Sequence, residues 1–135
     1  MKIFSRKTQK LNCDLYWAIV NDDLPRVRDL IVNGAKPNAV LVPVSRNEVP
    51  LHVAIRYGNR AIVHYLLNAG ADPREPFKIG PYEFTQSETA AAWNFDELAK
   101  FLKIKELEAE QQHGPRRLLR PPHCKPPHDP PHLAP

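Results

Sequence analysis

The chain has 135 residues, 42% hydrophobic and 25% charged, which is material for one modest folded domain. No apolar run approaches the roughly 18 to 20 residues of a membrane-crossing helix. Apart from Met1, the basic first ten residues hold only Ile3 and Phe4 as large apolar side chains, so neither a membrane span nor an export signal is predicted and a cytoplasmic location is expected. The net charge of +4 is uneven: residues 1–112 carry 15 basic and 14 acidic groups, while 113–135 carry four basic and one acidic. The near-neutral main part gives no strong nucleic-acid footprint. Two cysteines, Cys13 and Cys124, do not make a disulfide framework and fit a reducing compartment.

In chain order, a basic leader (1–11) precedes a first helix opened by Leu15, Tyr16 and Trp17. Trp17 is expected to cover an exposed end of the fold. Cys13 is expected just before this helix as a small packing residue. Asp22 would end the helix, since Asp tolerates a left-handed backbone better than most residues. Pro25 suits the first turn of a second helix, where a missing N–H costs nothing, and Asn33-Gly34 closes it. An almost wholly apolar segment, 39–44, follows. Pro50 opens a third helix that Gly58 closes, and Ile62, Val63, Leu66 and Leu67 mark one face of a fourth, closed by Ala69-Gly70. The next connection places Phe77, Ile79, Tyr82 and Phe84 around a Gly80-Pro81 turn. In the fifth helix Gln86-Ser87-Glu88 replaces apolar residues, so its outer face is expected to tolerate water. Asp96 and Glu97 put acids in the first turn of a sixth helix, a favourable place, and the mixed-charge run 103–110 extends it as a cap.

The most regular stretch is Val49-Pro50-Leu51-His52-Val53-Ala54-Ile55-Arg56-Tyr57-Gly58, followed by Ile62-Val63, Leu66-Leu67 and Gly70-Ala71-Asp72. It resembles an ankyrin repeat: Thr-Pro-Leu-His-x-Ala-Ala, a Gly four residues after the first Ala, an apolar pair, Leu-Leu and Gly-Ala-Asp. A shift of 36 residues back brings Leu15-Tyr16-Trp17-Ala18, Leu30-Ile31 and Gly34-Ala35 onto the same positions. The same shift forward brings Thr85-Gln86 onto Val49-Pro50, Ala90 onto Ala54, Asn94 onto Gly58, Leu98 onto Ile62, Phe101 onto Tyr65 and Leu102 onto Leu66. One offset therefore relates three copies, about 12–47, 48–83 and 84–111. The resemblance implies an all-α ankyrin-repeat solenoid of helix-turn-helix units with extended finger loops and a C-terminal capping helix. It implies a non-enzymatic protein-interaction module, an adaptor or inhibitor, whose partner is an unknown protein.

The family's repeats run close to about 33 residues, and the excess here lies in the fingers. Val40, Leu41 and Val42 in the first finger, and Phe77, Ile79 and Tyr82 in the second, are candidate partner-binding residues. The family commonly binds through the finger-side surface of the first helices, which adds Arg56, Tyr57 and Trp93. Large apolar side chains on projecting loops have two readings, anchors for a partner or a small packed cluster under the fingers. Phe77 and Tyr82, nearest the turn, are expected to stay partly exposed. Weak self-association through the apolar fingers is a further possibility. His52 has a structural role by resemblance, bridging neighbouring repeats, though Val49 replaces the Thr that assists it. Gly34, Gly58 and Gly70 are structural.

From His113 the tail holds eight of the fifteen prolines and four of the six histidines, and 112–135 is expected to be disordered or extended. His123, Cys124, His128 and His132 have four-residue steps suited to a helix that the prolines deny, so no metal site and no cofactor is assigned. Pro127-x-x-Pro130 lacks the basic flank that aromatic-groove ligands favour. Arg116, Arg117 and Arg120 would give only weak, salt-sensitive attraction to nucleic acid or lipid. Binding of metal or nucleic acid through this tail, with the repeats as support, is the alternative function. The sequence contains no phosphate loop, no nucleophile elbow and no His-Glu-x-x-His, so catalysis is not expected.

Overall fold

The computed structural model describes residues 6–39, 48–115 and 117–128. These form six helices and one hairpin: α1 (Arg6–Val20), α2 (Leu24–Val32), α3 (Pro50–Arg56), α4 (Arg60–Asn68), β1 (Phe77–Ile79), β2 (Tyr82–Phe84), α5 (Gln86–Ala92) and α6 (Asp96–His113). The chain divides into two compact units, one ending at Ala71 and the other beginning at Asp72.

In the first unit, α1 packs on α2 and α3 on α4, while α1 meets α3 and α2 meets α4, so two helix pairs stack. Leu15, Ile19, Val27, Leu51, Ile55, Ile62 and Leu66 are fully buried. Each such side chain contributes about 1.5–3 kcal/mol when taken out of water. Two asparagines tie the pairs together. The Asn59 side-chain amide donates to the carbonyl of Ile19, and that of Asn38 donates to the carbonyl of Gly70 at 2.8 Å.

The helix ends repeat the same geometry. Asp22, Gly58 and Asn94 have φ of 55°, 68° and 67°. Behind each, the next residue's N–H reaches back five positions: Asp23 to Ala18 at 2.8 Å, Asn59 to Ala54 at 2.9 Å and Phe95 to Ala90 at 2.9 Å. This is the Schellman closure, which satisfies carbonyls the helix itself leaves open. The second helices close likewise, with Ala35 donating to Leu30 and Ala71 to Leu66, both at 2.9 Å.

In the second unit, α5 packs on α6, with Leu98, Leu102 and Ala90 buried between them. Thr85 caps α5 in a reciprocal box. Its hydroxyl accepts from Glu88 N–H at 3.2 Å, and Glu88 Oε1 accepts from Thr85 N–H at 2.7 Å. Val49, at the equivalent place before α3, makes no side-chain cap.

The structure corrects several expectations. Helix α1 starts at Arg6, so part of the basic leader is helical and Cys13 lies inside the helix. Trp17 contacts Tyr16 edge-on, with centroids 5.1 Å apart, but is 56% exposed and covers little. The second finger is a two-stranded antiparallel ladder. Gln86 and Ser87 are buried: carbonyls of Asp72 and Glu75 accept from Gln86 Nε2, and Glu106 accepts from the Ser87 hydroxyl. The tail segment 117–128 was expected to be disordered. Within it, Leu119 exchanges two hydrogen bonds with Glu83 on the hairpin, a contact the sequence did not point to.

Candidate functional site

The hairpin pairs Phe77 with Phe84, Lys78 with Glu83 and Ile79 with Tyr82. Side chains alternate along a strand, so Phe77, Ile79, Tyr82 and Phe84 share one face and Lys78 and Glu83 the other. Burial falls off along the apolar face. At its base Phe77 and Phe84 are buried, Ile79 is intermediate, and Tyr82 at the tip is 38% exposed. Phe77 meets Trp93 edge-to-face, with centroids 5.3 Å apart and planes at 80°. Phe77 is therefore not exposed, contrary to the expectation, and neither it nor Trp93 presents a free ring to a partner. Both fill the base of the hairpin.

Arg56 also departs from the expected surface role. It is buried, pairs with Glu48 at 2.9 Å and lies over the Tyr57 ring with 5.5 Å to the centroid. Burial raises the Tyr16 phenol above its ordinary pKa, and the nearby Arg56 charge partly offsets this. Tyr57 itself is half-buried and keeps part of its ring accessible. His52 is buried in α3, whereas His64 on α4 is exposed. Gly34, Gly58 and Gly70 take positive φ of 113°, 68° and 109° in the helix closures. Val40, Leu41 and Val42 lie outside the described residues.

Residues that sequence reasoning passed over assemble around the hairpin and α5. The buried Glu106 carboxylate on α6 accepts from Ser87 N–H at 2.8 Å and from its hydroxyl at 2.7 Å. Burial pushes the Glu106 pKa up, and these two bonds pull it partly back. Gln86 Nε2 donates to the carbonyls of Asp72 and Glu75 at 3.1 and 3.0 Å, fixing the chain before β1. Beyond α6 the chain returns to the hairpin. Glu83 N–H donates to the Leu119 carbonyl at 2.9 Å, and Leu119 N–H donates to Glu83 Oε1 at 3.0 Å. Arg120 pairs with Glu88 and lies over the Phe84 ring, 5.4 Å from its centroid. Leu118 lines a small pocket beside Gln86 and Glu106. None of these pairings had a local signal, since each joins residues far apart in sequence.

Among the described residues no group of three His, Cys, Asp or Glu side chains converges as a metal site requires. His123 and His128 are exposed and Cys124 is half-buried, while His132 and Pro130 lie outside the described residues. No helix among the described residues is long and apolar enough to cross a membrane.

Paired helices with repeated closures and a hairpin finger define an all-α helix-turn-helix repeat protein of the protein-interaction class. The pattern of ankyrin repeats, in three copies, matches residues 15–113. The chain belongs to the ankyrin repeat family. It is also 46% identical over 59 residues to the palmitoyltransferase AKR1 of Lachancea kluyveri. That likeness covers 44% of this chain and 8% of the yeast protein, so the chain spans a small part of that relative's length.

Proposed function

We propose that the chain is a non-enzymatic adaptor or inhibitor in the cytoplasm, holding a protein partner through finger-loop and first-helix residues, the hairpin tip foremost. The observation that supports this is the apolar face of the hairpin, which is packed at Phe77 and Phe84 but leaves its tip pair, Ile79 and Tyr82, accessible. An exposed aromatic beside an aliphatic residue on a braced hairpin is suited to anchor a partner at small entropic cost. Tyr57 is the first-helix candidate that keeps accessible surface. Transferase activity is not carried over from the yeast relative, because the similarity covers so little of it.

The test is affinity capture with the full chain beside Ile79→Ser/Tyr82→Ser and Tyr57→Ser, each checked for native helicity by circular dichroism. A partner retained by the wild type and lost by the double variant is expected. Equal capture by all three folded proteins overturns the hairpin-tip reading.

A further inference from the structure

We propose that the outer edge of β2, with Glu83, Phe84 and Glu88, is an acceptor for a short, bent, arginine-bearing peptide, and that the chain's own segment 118–120 occupies it in cis. This rests on the interaction-module reading and names the chemistry of the partner.

A two-stranded hairpin has an unpaired edge, and Glu83 N–H points from that edge away from β1. Here it donates to the Leu119 carbonyl at 2.9 Å, the one backbone bond between the segment and the edge that the described residues show. The return bond comes from Leu119 N–H to the Glu83 carboxylate. Backbone bonding of this kind carries no sequence preference, and side-chain sites on either hand supply selectivity. On one hand Leu118 sits at the pocket beside Gln86 and Glu106. On the other, Arg120 meets both the Glu88 carboxylate and the Phe84 ring face. A planar guanidinium satisfies a carboxylate and an aromatic face together, which a lysine ammonium does less well. The segment bends at Leu119 and Arg120, where Arg120 N–H donates to the Leu118 carbonyl at 3.2 Å, and this bend carries Leu118 and Arg120 to their separate sites. The segment lies beyond residue 113, where the repeat match ends, so it is an addition to the repeats and not part of one.

The chemistry being read is apolar, any residue, arginine, on a bent backbone. A partner carrying that pattern competes with the chain's own copy. The cis segment then lowers apparent affinity by the fraction of time the edge is occupied.

The assay uses a fluorescent peptide spanning residues 115–128 and full-length protein under reducing conditions. The variant Arg120→Glu repels the cis segment from Glu88; because Arg120 and Thr85 N–H meet the same Glu88 oxygen, circular dichroism checks that the cap and α5 survive. This variant is expected to bind the peptide about tenfold or more tighter than the wild type. Glu88→Gln in that background keeps the cap acceptor and is expected to weaken peptide binding, and a peptide with Arg120→Glu is expected not to bind. Hydrogen exchange on the unmodified chain should show the Leu119 and Glu83 amides protected, with Arg120→Glu releasing both. Identical peptide affinity in wild type and Arg120→Glu, binding indifferent to the peptide's arginine, no binding to either protein, or an unprotected Leu119 amide overturns the proposal. Partner capture is measured separately, so failure here leaves the hairpin-tip reading to its own test.

Discussion

At the residue scale, the left-handed positions show how closely the backbone obeys the repeat. Asp22, Gly58 and Asn94 lie 36 residues apart and share nearly the same φ. The offset made this legible in the sequence, because Gly, Asn and Asp are the types that tolerate such a backbone. A Cβ without a compensating polar group makes the conformation costly, by about 1–2 kcal/mol. Asn94→Ala is therefore expected to lose about 1 kcal/mol of unfolding free energy, and Asn94→Gly to match or exceed the wild type. Urea titration of the three proteins gives the order directly, and an alanine variant as stable as the glycine one would sink the argument. Burial at Arg56, Phe77 and Trp93 was not legible in the same way. A sequence shows that a large side chain sits near a loop, but which neighbour covers it depends on contacts such as Glu48 on Arg56 and Trp93 on Phe77.

At the scale of elements, the α5–α6 pair adds a buried polar contact to its apolar seam. Ser87 occupies the place that fully buried Leu51 has one repeat earlier, so its position predicts burial while its chemistry suggests exposure. Position prevails because Glu106, nineteen residues on, supplies acceptors for both Ser87 donors. That carboxylate has a folded pKa raised by burial above its ordinary value, which is about 4.3 in an unfolded chain. Between those two values the folded protein holds a proton that the unfolded chain has released. Stability from this group is then full below the unfolded value and is lost as pH rises through the folded one. Glu106→Gln cannot ionise, so its stability relative to wild type is expected to improve as pH rises across that window. Denaturant midpoints of both proteins at several pH values check this. A constant difference would show that Glu106 titrates alike in the folded and unfolded chain.

At the scale of the whole molecule, the repeat architecture was readable because one offset aligned three copies, whereas the return of the tail was not. Prolines exclude helix from 115 onward but do not say which backbone the chain will bond to, and the acceptor edge at Glu83 lies 36 residues away from Leu119. Solenoid stability is roughly a sum of local terms, because each repeat touches its immediate neighbours alone. Phe77 and Trp93 both belong to the unit that begins at Asp72, so loss of their contact is expected to loosen that unit first. Phe77→Ala tests this, since it removes the ring packed edge-on against Trp93 and should cost about 3–5 kcal/mol locally. Hydrogen exchange is expected to accelerate through β1, β2, α5 and α6, with α1 to α4 keeping their wild-type protection. The contrast follows from sub-global opening, in which amides report the cheapest opening that exposes them. If protection instead falls by the same factor in all six helices, the chain opens as one cooperative unit, and the local-sum description fails for it.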